Sequence, residues 1–534
     1  MKKNDDTTSS FAKSGAILVA SGILLSRMMG LVRQKVFAHF FGNSDAGDAF
    51  YAAMKIPNFP QNLFGDGVLS ASFIPVYSQL LAKGDRVEAD KVAGIVGSLL
   101  ALINGVLVAV GILLTPLMID LIAPGFHGEK RALTIHLVQI FFPGTGLLVM
   151  SAWCLGILNS HHKFFLSYAA PVVWNAVIIL ALFFFGTGHL AGPLLATQVA
   201  WSVLVGSFLQ FAVQLPTVLK CAPFLRLSLS LQSEAVKKII TNFFPVMLAR
   251  GVVQLSAYVD SVLASLLPAG AVSALSYAQS LYLLPISLFG MSISAAELPV
   301  MSSVRGTEEE IAGHVRSRIE KGLLQISFYI VPSVVALWFL GDVIVAGIYQ
   351  GGAFRHSDTL YVWGVLAGST VGLLATTLGR LYSSAYYSLQ DTRRPLRFAL
   401  IRVFLTSVLG LICGLKLPLW LGIERSWGTV GLAASAGIAG WIEFLMLQKC
   451  MNQRIGKTQI PLSYLGKLWT GALLAGGLGV FLKQRPWSLP PILKLMLVVL
   501  PYGLTYFAVT TCLGIPLARR ITLRIFPFLN REKK

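Results

Sequence analysis

Charged residues are scarce in this chain of 534 residues, where Asp, Glu, Lys and Arg together make up 12%. Soluble domains carry about 25%, so the composition argues against a soluble fold. Acids are the scarcer sign, with 23 Asp and Glu against 43 Lys and Arg, for a net charge of +20. That excess could indicate nucleic-acid binding. In a membrane protein it instead marks cytoplasmic loops facing anionic lipid, and we prefer this interpretation.

Cysteine is also rare, and its pattern excludes two classes of site. The five cysteines are scattered and odd in number, without the CxxC spacing of metal sites or disulfide frameworks. The chain contains no HExxH, GxSxG or Walker sequence. We therefore expect no enzyme activity, no metal and no cofactor. Any transport must then draw on an ion gradient, the membrane potential or the substrate concentration.

Hydrophobic residues dominate the remainder, at 55% of the chain, with a mean hydropathy of +0.71. Apolar runs of about 20 residues, long enough to cross a hydrocarbon core of about 30 Å, recur from end to end. We count about 14 such runs, which predicts an all-α, polytopic membrane protein. An even count with both termini in the cytoplasm fits the loops best, because it places roughly 27 Lys and Arg inside and about 7 outside.

The longest polar connections suggest how the predicted spans are grouped. The connection around 220–237 leaves six spans before it. Two bundles of six around a midplane cavity are a common plan for transporters. We therefore predict an N-terminal lobe at 1–220 and a C-terminal lobe at 221–457. The remaining segment, 458–534, would hold two extra spans and a basic amphipathic tail on the lipid surface.

The first two predicted spans contain charges that hydrocarbon does not tolerate alone. Arg27 and Arg33 interrupt the first span, and Asp48, Lys55 and Asp66 follow in the second. A lone charge at bilayer depth costs at least about 2.5–3.5 kcal/mol, so these residues predict the wall of a polar path. Arginine suits pyrophosphate and carboxylate because its planar guanidinium binds them with two hydrogen bonds. The alternative is that both arginines only pair with Asp48 and Asp66.

The second predicted span, 46–82, also carries helix-breaking residues. Pro57, Pro60, Gly65 and Gly67 all lie within it. Proline removes a backbone donor, and broken helices are tolerated at membrane depth where they line a cavity. We therefore predict an interrupted helix beside the polar path.

Several segments resemble those of a known family. The run SRMMGLVRQKVFAHFFG, followed by DAFYAAMKIPN and GDGVLSASFIPVYSQ, resembles the opening of the MurJ/MviN family of lipid II flippases. This family belongs to the multidrug/oligosaccharidyl-lipid/polysaccharide exporter superfamily. APGF at Ala123–Phe126, IYQGGAF at Ile348–Phe354 and YYSLQDTRRP at Tyr386–Pro395 are also similar to family segments. The resemblance covers essentially the whole chain.

The resemblance implies a flippase in the bacterial cytoplasmic (inner) membrane. Such a protein moves the undecaprenyl-pyrophosphate-linked peptidoglycan precursor, lipid II, to the outer leaflet for cell-wall synthesis. Two lobes of six spans would alternate access to a cationic cavity, and the last two spans would form a groove for the lipid tail. Membrane lipids and cell-wall synthesis proteins are the implied partners. We assign substrate binding to Arg27, Arg33, Asp48, Lys55, Asn58 and Asp66, the last of which stands where the family usually has glutamate.

The chain also departs from the family pattern. Gln61 and Ser280 stand where cavity arginines are usual. Arg250, Arg380 and Arg402 lie inside predicted spans and are candidates for supporting cations. The eleventh span has no Asn or Asp, which argues against the sodium site that some members carry.

Three functions remain open at this point. The preferred one is a lipid II flippase. The second is an exporter of another polyprenyl-linked glycan, or a cation-coupled small-molecule antiporter. The third is a membrane scaffold that transports nothing. An antiporter for cationic drugs should have an acidic cavity, and the two leading arginines argue against it.

Overall fold

The computed structural model describes the backbone of residues 2–188, 190, 192–304 and 306–525, and their side chains except those of 2–20, 23, 66, 246, 248–257 and 523–525. The regular structure in these ranges is helical, apart from one isolated β-bridge. Ten helices there are long and apolar enough to cross a membrane, and a bent pair brings the number to eleven. These findings confirm an all-α, polytopic membrane protein. The count of about 14 spans stays a prediction.

By their contacts, the residues form two compact units, Met1–Val272 and Ser273–Lys534. The helices of the first unit are α1 (Lys2–Phe41), α2 (Asp45–Phe64), α3 (Asp66–Ala82), α4 (Arg86–Ile122), α5 (Gly128–Ser160), α6 (Phe164–Thr187), α7 (Gly192–Cys221) and α8 (Glu234–Ser265). Helix α5 lies at the centre, since it packs against α7, α2, α4 and α3.

Small residues allow these helices to approach closely. Trp153 of α5 is buried, and its ring lies where a Cβ on Gly97 of α4 would come within 2.9 Å of it. The indole Nε1 donates to the carbonyl oxygen of Ala93 at 3.0 Å. A side chain at residue 97 would therefore separate α4 from α5 and break this hydrogen bond.

The predicted second span is interrupted at one glycine. Helix α2 ends at Phe64 and α3 begins at Asp66. Gly65 between them has an extended backbone, with φ −86° and ψ −158°, and a Cβ there would overlap the carbonyl oxygen of Gln61. The predicted break is therefore confirmed, and glycine rather than proline makes it. Pro57 and Pro60 both lie inside α2.

Helix α8 packs against α3, α2 and α4. By its contacts the first unit thus extends past residue 220, as far as Val272. The predicted lobes at 1–220 and 221–457 and the segment 458–534 describe parts that would move during transport. That division stays a prediction.

The second unit contains the remaining helices. They are α9 (Ala271–Pro285), α10 (Ser292–Ser302), α11 (Glu308–Phe339), α12 (Gly341–Tyr349), α13 (His356–Thr370), α14 (Leu373–Ser388), α15 (Arg393–Gly410), α16 (Leu417–Leu421), α17 (Gly428–Ile455), α18 (Leu462–Lys483), α19 (Pro491–Cys512) and α20 (Pro516–Ile525). Two π-helical segments, Ile286–Met291 and Leu411–Lys416, join α9 to α10 and α15 to α16, and a 3-10 turn at Arg425–Trp427 precedes α17.

The last two long helices are fastened to α11 at a proline. Pro332 has no amide hydrogen, so the carbonyl oxygen of Phe328, four residues earlier, loses its helical partner. The hydroxyl of Tyr506 in α19 donates to this oxygen at 2.7 Å, and that of Tyr502 donates to the Pro332 carbonyl at 2.6 Å. Helix α18 packs against both α19 and α11. Tyr506 thus satisfies a backbone group that would otherwise be buried without a partner, and Tyr502 adds a second hydrogen bond between α19 and α11.

One span of the second unit is bent. Helices α13 and α14 meet at an angle of 43°. Gly372, at the junction, touches Gly437 of α17 so closely that a Cβ on it would overlap that residue. This glycine contact brings α14 against α17, and the charged residues on these two helices become neighbours.

Candidate substrate-binding site

Helices α1 and α6 pack together, and Arg33 of α1 lies against Trp174 of α6. Its guanidinium carbon is 4.7 Å from the centre of the indole ring. Such a contact contributes about 0.5–2 kcal/mol but leaves the positive charge in place. The Nε of Arg33 is buried and has no hydrogen-bond partner among the described residues. Arg33 therefore keeps donor capacity for a ligand.

The same indole connects Arg33 to the second predicted span. Trp174 lines a small cavity of about 20 Å³ together with Asn58 of α2, Thr145 of α5 and Ser207 of α7. This volume is close to that of one water molecule. Asn58 and the aromatic neighbour of Arg33 thus line the same cavity.

Arg27 is exposed on α1, about 9 Å along the helix axis from Arg33. Within the described side chains, no carboxylate comes within 4.0 Å of either guanidinium. Pairing of the two arginines with Asp48 is therefore not observed. The side chain of Asp66 lies outside the described residues, so pairing with it stays untested.

Asp48 is 1% exposed, and its partners are Lys130 and Gly270 rather than the two arginines. Its Oδ2 accepts from Lys130 Nζ at 2.8 Å and from the backbone N–H of Gly270 at 2.8 Å. Lys130 also donates to Asp45 at 2.7 Å. Gly270 has φ +88°, which favours glycine, and a Cβ there would press on Asn43. Asp48 thus fixes the start of α2 to the start of α5 and to the turn before α9.

The cap of α2 places this carboxylate. Ser44 has an extended backbone, and its hydroxyl accepts from the N–H of Gly47 at 3.2 Å. A helix that begins here puts Asp45 and Asp48 in its first turn, where negative charge is favourable.

Lys55 is held by α8. Its Nζ donates to the Ser261 hydroxyl at 2.6 Å, and Asp260 lies close enough to interact with its charge. The hydroxyl of Tyr258 donates to the Lys55 carbonyl oxygen at 2.9 Å. Lys55 is therefore a link between α2 and α8 in this structure, and its predicted contact with substrate stays a prediction.

The candidates for supporting cations differ in whether a carboxylate pairs with them. Arg402 Nη1 donates to Glu443 Oε2 at 3.1 Å. Arg380 is exposed on α14, and none of the described carboxylates lies within 4.0 Å of it. The side chain of Arg250 lies outside the described residues. Glu297, an acid inside a predicted span, pairs with Arg318 through two hydrogen bonds of 2.6 and 2.9 Å.

Sequence reasoning missed the role of Lys130. It is one of the few basic residues assigned to an outer loop, and that scarcity was the available signal. Its ion pair with Asp48 joins residues that are far apart in the chain, and such pairs cannot be read from one sequence.

A second missed group lies at the other end of the first unit. The Tyr77 hydroxyl lies 3.0 Å from His161 Nε2 and donates to Asp90 Oδ1 at 3.5 Å. The other Asp90 oxygen accepts from the backbone N–H of Phe224 at 3.0 Å. His161 follows α5, and its burial lowers its pKa below the usual value. Adjacent histidines in a loop gave no sign of this network.

Comparison with known proteins gives the family. The sequence model described as lipid II flippase MurJ matches residues 37–498. The chain belongs to the lipid II flippase MurJ family. A relative from Rhizobium tropici, "Probable lipid II flippase MurJ", is 32% identical over 449 residues, which cover 82% of this chain and 80% of the relative. The "Lipid II flippase MurJ" of Burkholderia cenocepacia is 30% identical over 447 residues, covering 82% and 84%.

Solved structures agree with this membership. "Lipid II flippase MurJ, inward closed conformation" has a TM-score of 0.76 and 26% identity, covering 93% of this chain and 98% of that one. An inward-facing multidrug resistance transporter of the MATE family has a TM-score of 0.65 and 16% identity, covering 83% and 100%, and shares the fold. The MurJ family match begins after Arg27 and Arg33. The assignment of these two residues therefore rests on the N-terminal motif and on their geometry.

Proposed function

We propose that this MurJ-family protein translocates lipid II across the bacterial cytoplasmic membrane and thereby supplies cell-wall synthesis. Family membership supports the substrate. The observation that carries the site is the pair of guanidinium groups on α1, which have no carboxylate within 4.0 Å among the described side chains. A positive charge at membrane depth needs an anion or a polar space, and pyrophosphate supplies such an anion.

In this proposal Arg27 and Arg33 bind the pyrophosphate through charge-assisted hydrogen bonds. Asn58 adds a polar group beside Trp174. Lys55 of α2 would also contact the substrate, whereas Asp48 would support the site through its pairing with Lys130. Asp66 follows the break at the start of α3. Further positive charge comes from three arginines outside the first two spans, namely Arg250, Arg380 and Arg402.

Translocation would proceed by alternating access of the two lobes, without ATP hydrolysis, because the sequence holds no nucleotide-binding motif. Helices α18 and α19 would guide the lipid tail. Both termini would be cytoplasmic, as would the loops at 83–91, 220–237 and 449–457. Single cysteines introduced into these three loops should resist an impermeant thiol reagent applied to intact cells. Rapid labelling at two of them would contradict this topology.

Rescue of a bacterium depleted of its own lipid II flippase tests the function. The wild-type chain should restore growth, and a chain with Arg33→Ala should fail at equal membrane abundance. Lys35→Ala is the matched control, because Lys35 is an exposed cation on the same helix, about 200° around the axis from Arg33. Failure of the wild-type chain, present at normal abundance, would contradict the proposed substrate. Full rescue by the Arg33→Ala chain would contradict the site.

A further inference from the structure

A second group of charges lies in the interior of three spans of the second unit. Helix α17 packs against both α14 and α15. Arg380 of α14, Arg402 of α15 and Glu443 of α17 lie about 12 to 18 Å from the nearest ends of their membrane spans, at Ser388, Arg393 and Ile455. This distance exceeds the reach of an arginine side chain. The charges therefore belong to the membrane interior and not to the headgroup layer.

Positive charge exceeds negative charge in this group. Arg402 uses Nη1 to bind Glu443 at 3.1 Å. Arg380 interacts electrostatically with Arg402, Glu443 and Tyr282, but no carboxylate of the described part of the chain lies within 4.0 Å of it. Two arginines thus face one acid. The surplus charge would be costly against lipid, so it requires a polar space or an additional anion.

Unused hydrogen-bond donors accompany the surplus charge. Arg402 Nε is buried without a partner among the described residues. Thr406, one turn further along α15, is 1% exposed, and its hydroxyl is likewise unpartnered within the described ranges. Buried polar groups nearly always have partners. A guanidinium Nε and a hydroxyl that both lack one, beside an open arginine, are what an oxyanion site offers when no ligand is bound.

We propose that Arg380, Arg402 and Thr406 form a second oxyanion site, which takes a phosphate or carboxylate group, and that Glu443 holds Arg402 in place while the site is empty. All three residues belong to the second unit, whereas Arg27 and Arg33 belong to the first. Its role in transport rests on the proposed function, because the carried precursor is one source of the oxyanion. An anionic phospholipid of the surrounding membrane is the other source.

The proposal gives opposite signs for two substitutions. Arg380→Gln removes the open cation and weakens oxyanion binding. Glu443→Gln removes the internal competitor and raises the local charge from about +1 to about +2, which strengthens binding. If Arg402 and Glu443 are only a structural ion pair, Glu443→Gln destabilises the fold and leaves oxyanion binding unchanged or weaker.

Equilibrium dialysis with radiolabelled inorganic pyrophosphate tests the site. The full chain is placed in nanodiscs of phosphatidylcholine, and all variants carry Arg27→Gln and Arg33→Gln, so that binding at the first site is absent. This parent should still bind pyrophosphate. We expect Arg380→Gln to lower the affinity by about tenfold or more, and Glu443→Gln to raise it several-fold. Arg397→Gln is the matched control, since Arg397 is exposed on α15 outside the group, and it should change nothing.

Several outcomes would overturn the proposal. They are no binding by the parent, unchanged affinity in Arg380→Gln, and unchanged or weaker binding in Glu443→Gln while its melting temperature is normal. If the Glu443→Gln protein does not fold, the Thr406→Val variant is tested in its place. This variant keeps every charge and should bind several-fold more weakly, whereas equal binding contradicts the site. The first site is tested separately, by the decrease in pyrophosphate binding from the wild-type chain to the parent with Arg27→Gln and Arg33→Gln. The two proposals can therefore fail independently.

Two further arms identify the source of the oxyanion. Nanodiscs that contain phosphatidylglycerol should abolish pyrophosphate binding if a resident phospholipid occupies the site. Added lipid II should compete in phosphatidylcholine discs if the carried precursor does. Competition by either supports the oxyanion site. Competition by neither, in a parent that binds pyrophosphate, contradicts the assignment to a lipid ligand.

Discussion

Two groups of charges in the first unit contrast with each other. Arg27 and Arg33 on α1 have no carboxylate within 4.0 Å among the side chains that the structure describes. Asp48 and Lys130, by contrast, are paired at 2.8 Å, and Asp48 is almost fully buried. The residue types alone do not separate the groups, since both place single charges in or beside apolar spans. The pairing separates them: it makes the second group part of the fold, and it leaves the first group for the ligand that we propose.

The contrast has an energetic basis. A buried charge pair with further hydrogen bonds is satisfied, and removal of one partner strands the other. Arg27 and Arg33 have no such carboxylate partner among the described side chains, so their removal should cost the fold little beyond the contact of Arg33 with Trp174. Substitutions in the two groups should therefore fail in different ways, and abundance and activity can be measured separately.

The largest expected effect follows from substitution of Arg27 and Arg33, the group without a carboxylate partner (the open group). Arg27→Ala and Arg33→Ala should each abolish rescue of a flippase-depleted strain while the membrane abundance of the protein stays near normal. Quantitative immunoblotting beside the growth assay checks this. A fall in abundance that parallels the loss of rescue would show that these arginines support the fold, as Asp48 and Lys130 do. It would contradict the distinction between the two groups.

Substitution of the paired group should act on stability. Lys130→Met removes the cation beside the buried Asp48 carboxylate, so we expect a loss of about 3–5 kcal/mol in the free energy of unfolding. Thermal melting of the purified protein measures it. The double variant with Asp48→Asn should recover part of this loss, because no charge is stranded. Equal melting temperatures of the Lys130→Met and wild-type proteins would show that the pair does not support the fold.

Arg33→Lys sharpens the comparison within the open group. Lysine keeps the charge but loses the planar fork and the stacking on Trp174. We expect partial rescue, at normal abundance. Rescue equal to wild type would indicate that charge alone suffices, whereas no rescue would indicate that the two-pronged geometry is essential.

A single hydrogen bond in the second unit should have a smaller effect on the free energy of unfolding. Tyr506→Phe leaves the Phe328 carbonyl oxygen without its donor and should cost about 1–3 kcal/mol of unfolding free energy. Tyr387→Phe is the control, because Tyr387 is exposed and the same hydroxyl is removed. If the two variants have the same melting temperature, this hydrogen bond does not stabilise the packing of α19 against α11.

The smallest expected effect concerns pH. Burial lowers the pKa of His161, and Arg86, His162 and Lys163 add to this, while Asp90 opposes it. The unfolded chain then binds a proton more readily than the folded one, so stability should fall as the pH drops below about 6.5. The melting temperature of His161→Gln should fall less than that of wild type over this range. An identical pH dependence would contradict a contribution from His161.

Much of the fold was accessible from the sequence. Apolar runs predicted the helices because bilayer thickness sets their length, and the break near Gly65 was expected from helix-breaking residues. The choice of Gly65 over Pro57 was not, since it depends on how closely the backbone approaches Gln61. Arg33 was singled out as a candidate from the cost of a charge in hydrocarbon, and its role stays a prediction. The pairing of Asp48 with Lys130 was not, because charge partners distant in sequence are fixed only by packing.

Lipid II binding by the purified protein tests the central claim most directly. Wild-type, Arg27→Ala/Arg33→Ala and Lys130→Met proteins would be compared in phosphatidylcholine nanodiscs, with affinity and melting temperature measured on the same samples. The account predicts that the double arginine variant loses affinity by at least about tenfold and melts like wild type, while Lys130→Met melts lower and, once folded, binds normally. Unchanged lipid II affinity in the well-folded double arginine variant would contradict it.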